Sequence, residues 1–299
     1  LASEMGIGEV EGVQEQGVGV SLKHFALNNA EDHRFMGNSV CDERAAREIY
    51  LRVFERVVKK AKPATLMCAY NAINGTFCSE NEWLLTEVLR KEWGFDGLVM
   101  TDWGATHDRA ASLKAGLDLE MPGNTSYCRD VIFKALEDGS LDMETLDQAV
   151  ENVLRLVDTY AVGAEQKDAD FEAHHALAAE IAADCAVLLK NDGVLPLKED
   201  GENLLVVGEM FEKMRYQGAG SSMINPTKIT SPRQAFDEKG ISYTYSRGYR
   251  EDGESALELR RAALEAAKKH DRILIFAGLD DMTEGEGYDR ENMRLPQHQ

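Results

Sequence analysis

The strongest candidate for chemistry is an aspartate that directly follows a short apolar stretch. In the sequence LVMTDWG, Leu98 to Thr101 predict a buried strand, and Asp102 and Trp103 come at its carboxyl end. A carboxylate fixed at a strand end can be held against a reacting carbon, and the neighbouring indole offers a flat apolar wall for a sugar ring. One interpretation of Asp102 is therefore a nucleophile, and the other is a cap for the helix that follows.

A second group of polar residues follows another predicted strand, over residues 17–24. It combines cationic, imidazole, amide and carboxylate side chains: Lys23, His24, Asn28, Asn29, Glu31 and Arg34. Such a mixture suits a neutral polyol, because sugar hydroxyls both donate and accept, and each one left unpaired costs about 1 to 3 kcal/mol. An ion-pair network at a helix start, with Glu31 and Arg34 three residues apart, explains the same residues equally well.

A third candidate is the acidic, glycine-rich stretch TEGEGYDR at residues 283–290. Glycines on either side of Glu286 leave the backbone free to present that carboxyl group on a loop. A glutamate in such a place can act as a general acid once desolvation keeps it protonated. The alternative is an ordinary solvated surface loop.

Several other kinds of site are not supported by the sequence. The small-residue stretch YQGAGSSMINP at 216–226 lacks the Lys-Ser or Lys-Thr of a phosphate-binding loop, and no GxSxG serine motif occurs. His174 and His175 have no partners at metal-ligand spacing. The five cysteines include no CxxC pair, which favours free thiols in a reducing, cytoplasmic setting, although a bridge between Cys68 and Cys78 stays open.

The overall charge narrows the classes of partner. The 299 residues carry a formal charge of −20, which repels nucleic acid and anionic membrane surfaces. The sequence contains no run of about 18 apolar residues that would span a bilayer. We therefore expect a soluble protein with a neutral partner, and the sequence leaves a homo-oligomer open.

The elements that must position these residues alternate between short apolar runs and longer helical patterns. This alternation predicts an α/β protein with parallel strands, whose carboxyl ends gather reactive groups. A segment of small and charged residues at 161–172 predicts a linker between two domains. The predicted strands are 17–24, 65–70, 98–101, 186–189, 204–207 and 273–277, and the predicted helices are 41–62, 81–93, 142–160, 176–185 and 255–269.

Four stretches of the sequence together resemble glycoside hydrolase family 3, the β-glucosidase family. They are KHFALNNAEDHR at 23–34, the long run from CAYNAINGTF to GLVMTDWG at 68–104, ALAAEIAADCAVLLKNDGVLPL at 176–197, and EGEGYDR at 284–290. Their order and spacing match as well, and the resemblance covers nearly all of the chain. The resemblance implies a (β/α)8 TIM-like barrel followed by an α/β sandwich, with the active site in the crevice between them.

The resemblance also implies which parts of that architecture are present. Residues 1–160 correspond to the C-terminal portion of the barrel, and residues 173–299 correspond to the N-terminal portion of the sandwich, which carries the acid/base loop. The chain begins with Leu1 and stops soon after the EGEGYDR stretch, so we expect a segment of a longer protein. A further sugar-binding aspartate of the family would lie before Leu1.

The family's catalytic residues carry over to two positions of this sequence. Asp102 matches the nucleophile, and Glu286 matches the general acid/base, with Glu284 as the alternative. The family's sugar-binding residues match Lys23, His24, Arg34, Tyr70, Trp103 and Ser221. The run KHFALNN differs from the KHFPGHG of the N-acetylglucosaminidase branch, which uses a histidine as acid, so the two-carboxylate branch fits better.

The activity implied by the resemblance is hydrolysis with retention of anomeric configuration. Two carboxyl groups about 5 to 5.5 Å apart flank the bond, one attacking the anomeric carbon and the other protonating the departing oxygen. Asp102 must stay ionised, to which Lys23, a protonated His24 and Arg34 can contribute. This chemistry needs no metal or organic cofactor.

The expected substrate is a neutral oligosaccharide or an aryl β-glucoside, cleaved at its terminal non-reducing β-D-glucosyl residue. Two other functions remain open at this stage. One is a noncatalytic carbohydrate-binding fragment, and the other is a β-xylosidase or α-arabinosidase of the same family, which would share every motif and differ in pocket shape.

Overall fold

The structure is a computed structural model that describes residues 1–123, 126–165, 168–197, 203–252 and 256–299. The chain divides into two compact units, Leu1–Gln166 and Lys167–Gln299, which we call unit 1 and unit 2. The division falls within the segment that was predicted as a linker. The assignment of the two units to portions of a barrel and a sandwich stays a prediction from the resemblance.

Unit 1 alternates helices with short strands. Its helices are α1 (Ala2–Gln14), α2 (Glu43–Ala45), α3 (Leu51–Ala61), α4 (Arg109–Ala115), α5 (Tyr127–Glu137) and α6 (Met143–Tyr160), with π-helical segments at Ala46–Tyr50 and Trp83–Glu92 and a 3-10 turn at Cys78–Glu80. Its strands are β1 (Ser21–Phe25), β2 (Asn38–Ser39), β3 (Thr65–Cys68), β4 (Ala72–Ile73), β5 (Thr76–Phe77) and β6 (Leu98–Thr101).

The main sheet of unit 1 is parallel and has the strand order β1-β3-β6. Strand β3 pairs with β6 in register from Thr65 opposite Leu98 to Cys68 opposite Thr101. The sequences TLMC and LVMT show the same burial pattern, with three buried residues of four. Near-continuous apolar strands of this kind are typical of parallel sheets covered on both faces. Because the strands are parallel, their carboxyl ends lie at one edge of the sheet.

A segment that we did not predict as a strand extends this sheet. Residues 117–121 lie beside β6, where Met100 and Leu119 form a parallel bridge and the Thr101 amide donates to the Leu119 carbonyl at 3.0 Å. In this segment Leu117, Leu119 and Met121 alternate with two acidic residues. That period of two was a usable strand signal in the sequence.

The core of unit 1 forms where helical segments cover the sheet. The π-helical segment Trp83–Glu92 buries Leu84, Leu85, Val88 and Leu89, each with no exposed surface. These residues lie three and four positions apart, which places them on one face of the helix. They join Phe25, Leu66 and Val99 in one apolar cluster.

Unit 2 contains a second parallel sheet, of order β8-β7-β9. Its elements are α7 (Phe171–Asp184), β7 (Leu204–Val207), a 3-10 turn at Glu209–Phe211, α8 (Pro232–Glu238), β8 (Thr244–Ser246), α9 (Leu257–Ala267) and β9 (Arg272–Ile275). Phe211 is fully buried beside the central strand, and its ring contacts four others, those of Phe236, Tyr243, Tyr245 and Phe276. This aromatic cluster covers one face of the sheet.

The predicted elements agree with the structure where the apolar runs are buried. The predicted strands 98–101 and 204–207 have the observed bounds, and the predicted helix 41–62 is a helix interrupted by a π-helical segment. The first residue of the predicted helix 255–269 lies outside the described residues. These agreements, together with the structural similarity reported below, confirm the predicted α/β fold class.

One predicted strand is wrong. Residues 186–189 form no strand, and Val187, Leu188 and Leu189 are largely exposed. An apolar run becomes a strand only when a neighbour accepts its backbone hydrogen bonds. No described strand of unit 2 pairs with this run.

The thiols are all free, so the Cys68–Cys78 bridge that the sequence left open is not formed. Both side chains are fully buried, and the Cys78 thiol donates to the Ala26 carbonyl at 3.5 Å. Desolvation raises the pKa of Cys68 and raises that of Cys78 to about 12. These thiols are therefore unreactive packing groups.

Within the described ranges, none of the helices is both long enough and apolar enough to cross a membrane.

The aromatic cluster of unit 2 generates a stability prediction. Phe211→Ala should lower the free energy of unfolding of unit 2 by about 3 to 5 kcal/mol, because it removes a buried ring and leaves a cavity. Urea denaturation measures this change. The control, Phe171→Ala, truncates a mostly exposed phenylalanine and should change the stability by less than about 0.5 kcal/mol; equal losses in both variants would contradict this account.

Candidate active site

Asp102 is fixed by the sheet that it follows. Its backbone amide donates to the Cys68 carbonyl at 3.2 Å, so the ladder between β3 and β6 continues one residue beyond the strand. Its carbonyl accepts from the Ala105 amide at 3.1 Å, and the Gly104 amide donates to the Met121 carbonyl at 2.8 Å. The turn that carries Asp102 is therefore held on both sides, by β3 and by the segment 117–121.

Asp102 is 8% exposed, and its carboxylate accepts a hydrogen bond from the next residue along the chain and lies within ion-pair distance of His24. The Trp103 amide donates to Oδ1 at 2.8 Å, and Nε2 of His24 lies 3.3 Å from Oδ2. The interpretation of Asp102 as a helix cap is wrong, because α4 is capped by Asp108, whose side chain accepts from the Ala111 amide.

The resemblance predicts that both Trp103 and Tyr70 bind the sugar, but the two side chains have different surroundings. The Trp103 side chain is 57% exposed, as a wall for a ligand would be. Tyr70 is buried, and its hydroxyl donates to the Trp103 carbonyl at 3.1 Å. Tyr70 therefore helps to hold the backbone that carries the indole.

Arg34 lies over the Tyr70 ring, 4.9 Å from its centroid, and 5.3 Å from the centroid of the Phe35 ring. Its Nη1 donates to Oε2 of Glu31 at 2.9 Å. The ion pair that we weighed for Glu31 and Arg34 is thus present, and it leaves the guanidinium stacked beside the residues that hold Trp103. A sugar contact of Arg34 stays a prediction.

His24 is neutral near pH 7 in this environment. Burial lowers its pKa first, and the neighbouring Lys23 cation lowers it further, while the Asp102 carboxylate acts in the opposite direction. Our expectation that a protonated His24 stabilises the Asp102 anion is therefore wrong: desolvation outweighs the attraction. A neutral imidazole keeps one N–H, and Nε2 lies 3.3 Å from Oδ2 of Asp102.

Lys23 is exposed, and its side chain forms no hydrogen bond or ion pair with the described part of the chain. Its ammonium group is therefore available to a ligand. Unit 1 thus brings Asp102, His24, Tyr70 and Trp103 into one connected group, with Lys23 and Arg34 beside it.

Unit 2 places Glu286 against the small-residue loop. The Ser221 amide donates to Oε2 of Glu286 at 2.6 Å, and the Ser221 hydroxyl contacts the same oxygen. The Glu286 amide donates to the Ala219 carbonyl at 3.3 Å. Two of the predicted site residues, Ser221 and Glu286, therefore bind each other directly.

Gly220 permits this contact, which sequence reasoning did not foresee. Its φ is +101°, and a Cβ at this position would lie 2.5 Å from Cβ and 2.6 Å from Oε2 of Glu286. Only a residue without a side chain fits between Ala219 and Ser221 here.

Glu284, the alternative acid, has different partners. Its carboxylate accepts from Nη1 of Arg215 at 3.3 Å, and its carbonyl accepts from Nη2 at 2.9 Å. Glu284 is thus paired with a cation, whereas Glu286 contacts the amide and the hydroxyl of Ser221.

Metal binding has no structural support among the residues that the structure describes. They include no group of three or more histidine, cysteine, aspartate or glutamate side chains arranged to hold a metal ion.

Comparison with known proteins places this arrangement in a family. Residues 1–156 match the family model described as "Glycosyl hydrolase family 3 N terminal domain", and residues 186–299 match "Glycosyl hydrolase family 3 C-terminal domain". The chain belongs to glycosyl hydrolase family 3. The predicted resemblance is thereby confirmed.

Curated relatives of the chain include enzymes with two different names. The chain is 45% identical over its whole length to the thermostable beta-glucosidase B of Acetivibrio thermocellus, and it covers 40% of that protein. It is also 45% identical to an exo-alpha-(1->6)-L-arabinopyranosidase of Bifidobacterium longum, of which it covers 41%. The chain therefore spans about two fifths of the length of these relatives.

Solved structures show the same fold. A GH3 beta-glucosidase of Bifidobacterium adolescentis superposes with a TM-score of 0.91 at 44% identity, covering 98% of this chain and 43% of that one. Beta-glucosidase 3B of Thermotoga neapolitana in complex with alpha-D-glucose superposes with a TM-score of 0.84 at 34% identity, covering 98% and 45%. These family members support the predicted fold class of TIM-like barrel and α/β sandwich.

The opposed charges around His24 generate a prediction for NMR titration. The imidazole should titrate below its ordinary value of about 6.5. Asp102→Asn removes an attraction and should move the midpoint to lower pH, whereas Lys23→Gln removes a repulsion and should move it to higher pH. Asp138→Asn, at an exposed turn, is the control; midpoints that coincide in all four proteins would contradict the assigned electrostatics.

The close approach at Gly220 predicts an unequal response to alanine. Gly193→Ala should cost about 1 to 2 kcal/mol, because φ there is +93° and nothing lies within 4 Å of the new Cβ. Gly220→Ala should cost at least about 1 kcal/mol more, because the methyl group also collides with Glu286. Urea denaturation of both variants measures the difference, and equal costs would rule out the collision.

Proposed function

We propose that the protein is a retaining exo-acting β-glycosidase that releases terminal non-reducing β-D-glucosyl residues from neutral oligosaccharides or aryl β-glucosides. The observation that carries the proposal is the placement of Asp102 at the end of β6, where it is buried, lies 3.3 Å from Nε2 of His24 and is followed by an exposed indole. Membership of the family and the named β-glucosidase relatives support the same activity.

In the proposed reaction Asp102 is the nucleophile. Its carboxylate attacks the anomeric carbon as the bond to the departing oxygen breaks, which gives a covalent glycosyl ester. Water then attacks the same carbon and releases the carboxylate, so two inversions retain the configuration. The fixed backbone of Asp102 and the hydrogen bond from the Trp103 amide to its carboxylate limit its motion, which favours the attacking geometry.

Glu286 is the proposed general acid and base. It gives its proton to the departing oxygen in the first step and takes one from water in the second. Glu284 lies on the same loop, but its pairing with Arg215 supports the choice of Glu286. The donors of Ser221 favour the carboxylate form, so we propose that the contact with Ser221 loosens when Glu286 takes up its proton.

The remaining predicted residues are proposed to hold the sugar. Lys23, the neutral His24 and Arg34 offer donors to hydroxyl groups, and the exposed face of Trp103 offers an apolar wall. Tyr70 acts through Trp103, whose backbone it holds. While the Ser221 hydroxyl donates to Glu286 it can still accept a hydrogen bond from a sugar hydroxyl.

A second glycone is favoured by one observation, because the arabinopyranosidase of Bifidobacterium longum is as similar to the chain as the β-glucosidase is. The same pair of carboxyl groups serves either sugar, because both substrates place a pyranose ring at the reacting carbon. Comparison of kcat/KM for nitrophenyl β-D-glucopyranoside, β-D-xylopyranoside and α-L-arabinopyranoside in the full-length protein decides between them.

The nucleophile assignment predicts the effect of one substitution. Asp102→Asn keeps the shape of the side chain but removes its charge, so it should lower kcat/KM for the preferred nitrophenyl glycoside by at least about 10³-fold, within the range of enzymatic rate enhancements. NMR of the wild-type reaction should show the retained anomer as the first product.

The exposed Asp138→Asn variant is the matched control and should keep the wild-type rate. A substantial residual rate in Asp102→Asn, or an inverted first product, would refute the assignment. Sugar binding without turnover in the wild-type protein would instead establish the noncatalytic alternative.

A further inference from the structure

Two segments of unit 2 meet around Glu286. We call residues 215–221 the clamp segment and residues 280–288 the acid loop. Both ends of the clamp segment contact the acid loop. At one end Arg215 binds Glu284, and at the other Ala219 and Ser221 bind Glu286. The acid loop is thus attached to one neighbouring segment on each side of Gly285.

Arg215 makes the largest set of these contacts. Besides the Glu284 carboxylate and carbonyl, its Nε lies 3.1 Å from Oδ1 of Asp281. The side chain is 22% exposed, so water screens these charges less than it screens those of a fully exposed pair. The guanidinium donates two hydrogen bonds to Glu284, which fix direction as well as distance, and its pair with Asp281 adds a charge contact.

The acid loop needs such a restraint. Glycines flank Glu286, and ordering each backbone residue costs about 1 to 2 kcal/mol. Within the loop, Asp280 accepts from the Thr283 amide at 2.7 Å, and a bridge between Gly285 and Tyr288 spans Glu286. Arg215 links that folded part of the loop to the clamp segment.

Arg215 also acts on the alternative acid. Glu284 is two residues from Glu286, and its carboxylate is neutralised by the guanidinium. Without that cation, Glu284 and Asp281 would repel each other and the loop would lose its side-chain contacts with Arg215.

From these contacts we propose that Arg215 is a positioning residue for Glu286: it anchors the acid loop to the clamp segment and so sets where the proton donor lies. This inference rests on the proposed role of Glu286. It assigns to Arg215 no contact with substrate.

The test uses leaving groups that differ in their need for a proton. A dinitrophenyl glycoside departs as a stable anion without protonation, whereas a phenyl glycoside needs the general acid, whose contribution is about 10² to 10⁴-fold. The constant to measure is kcat/KM, which reports the first chemical step, in the full-length protein with the glycone that it cleaves fastest.

Glu286→Gln sets the reference, with a large loss on the phenyl glycoside and a small loss on the dinitrophenyl glycoside. Arg215→Gln should show the same selectivity at lower amplitude, about 10-fold to 100-fold on the phenyl substrate and less than about 3-fold on the other. Arg215→Lys, which keeps the charge but not the planar fork, should recover part of the loss. If Arg215→Gln fails to fold, Arg215→Lys alone should still show selectivity.

The matched control is Arg233→Gln, which removes another paired arginine of unit 2 that contacts Glu212 rather than the acid loop. It should leave both rates unchanged. An Arg215 variant that lowers both rates equally, or neither, while Glu286→Gln is selective, would overturn the positioning role alone. A nonselective Glu286→Gln would overturn the proposed acid and the positioning role together.

Discussion

The site in unit 1 depends on one continuation of a hydrogen-bond ladder. Strands β3 and β6 pair through Cys68 and Thr101, and the Asp102 amide adds one more bond to the Cys68 carbonyl. The backbone of Asp102 is thereby part of the sheet, although its side chain lies beyond the strand. A parallel sheet can present a carboxylate with little mobility in this way, because the strand that delivers it is buried on both faces.

Burial affects the pKa of His24 more strongly than the attraction of the Asp102 carboxylate does. Desolvation and Lys23 together outweigh the pull of Asp102 on the His24 proton. The imidazole beside the carboxylate is therefore neutral, and Lys23 and Arg34 supply the nearby positive charge. The whole chain carries a net charge of −20, whereas Lys23 and Arg34 place two positive charges at this site.

The sequence predicted those features that short-range pattern determines. Leu98–Thr101 and Leu204–Val207 were located to the residue because each is an apolar run bounded by polar residues and buried in a sheet. The run at 186–189 is apolar as well, but no described strand pairs with it. Composition alone does not determine which strands pair. The charge state of His24, the contact between Ser221 and Glu286, and the role of Gly220 each depend on residues distant in sequence, so no local pattern reveals them.

The unequal burial of the three tryptophans has an optical consequence. Trp93 is buried and Trp83 is half-buried, whereas the indole of Trp103 is largely open to solvent beside Asp102. The emission of an indole depends on the polarity of what surrounds it, so the long-wavelength part of the fluorescence belongs mainly to Trp103. The protein therefore carries its own spectroscopic reporter at the place where a ligand would displace water.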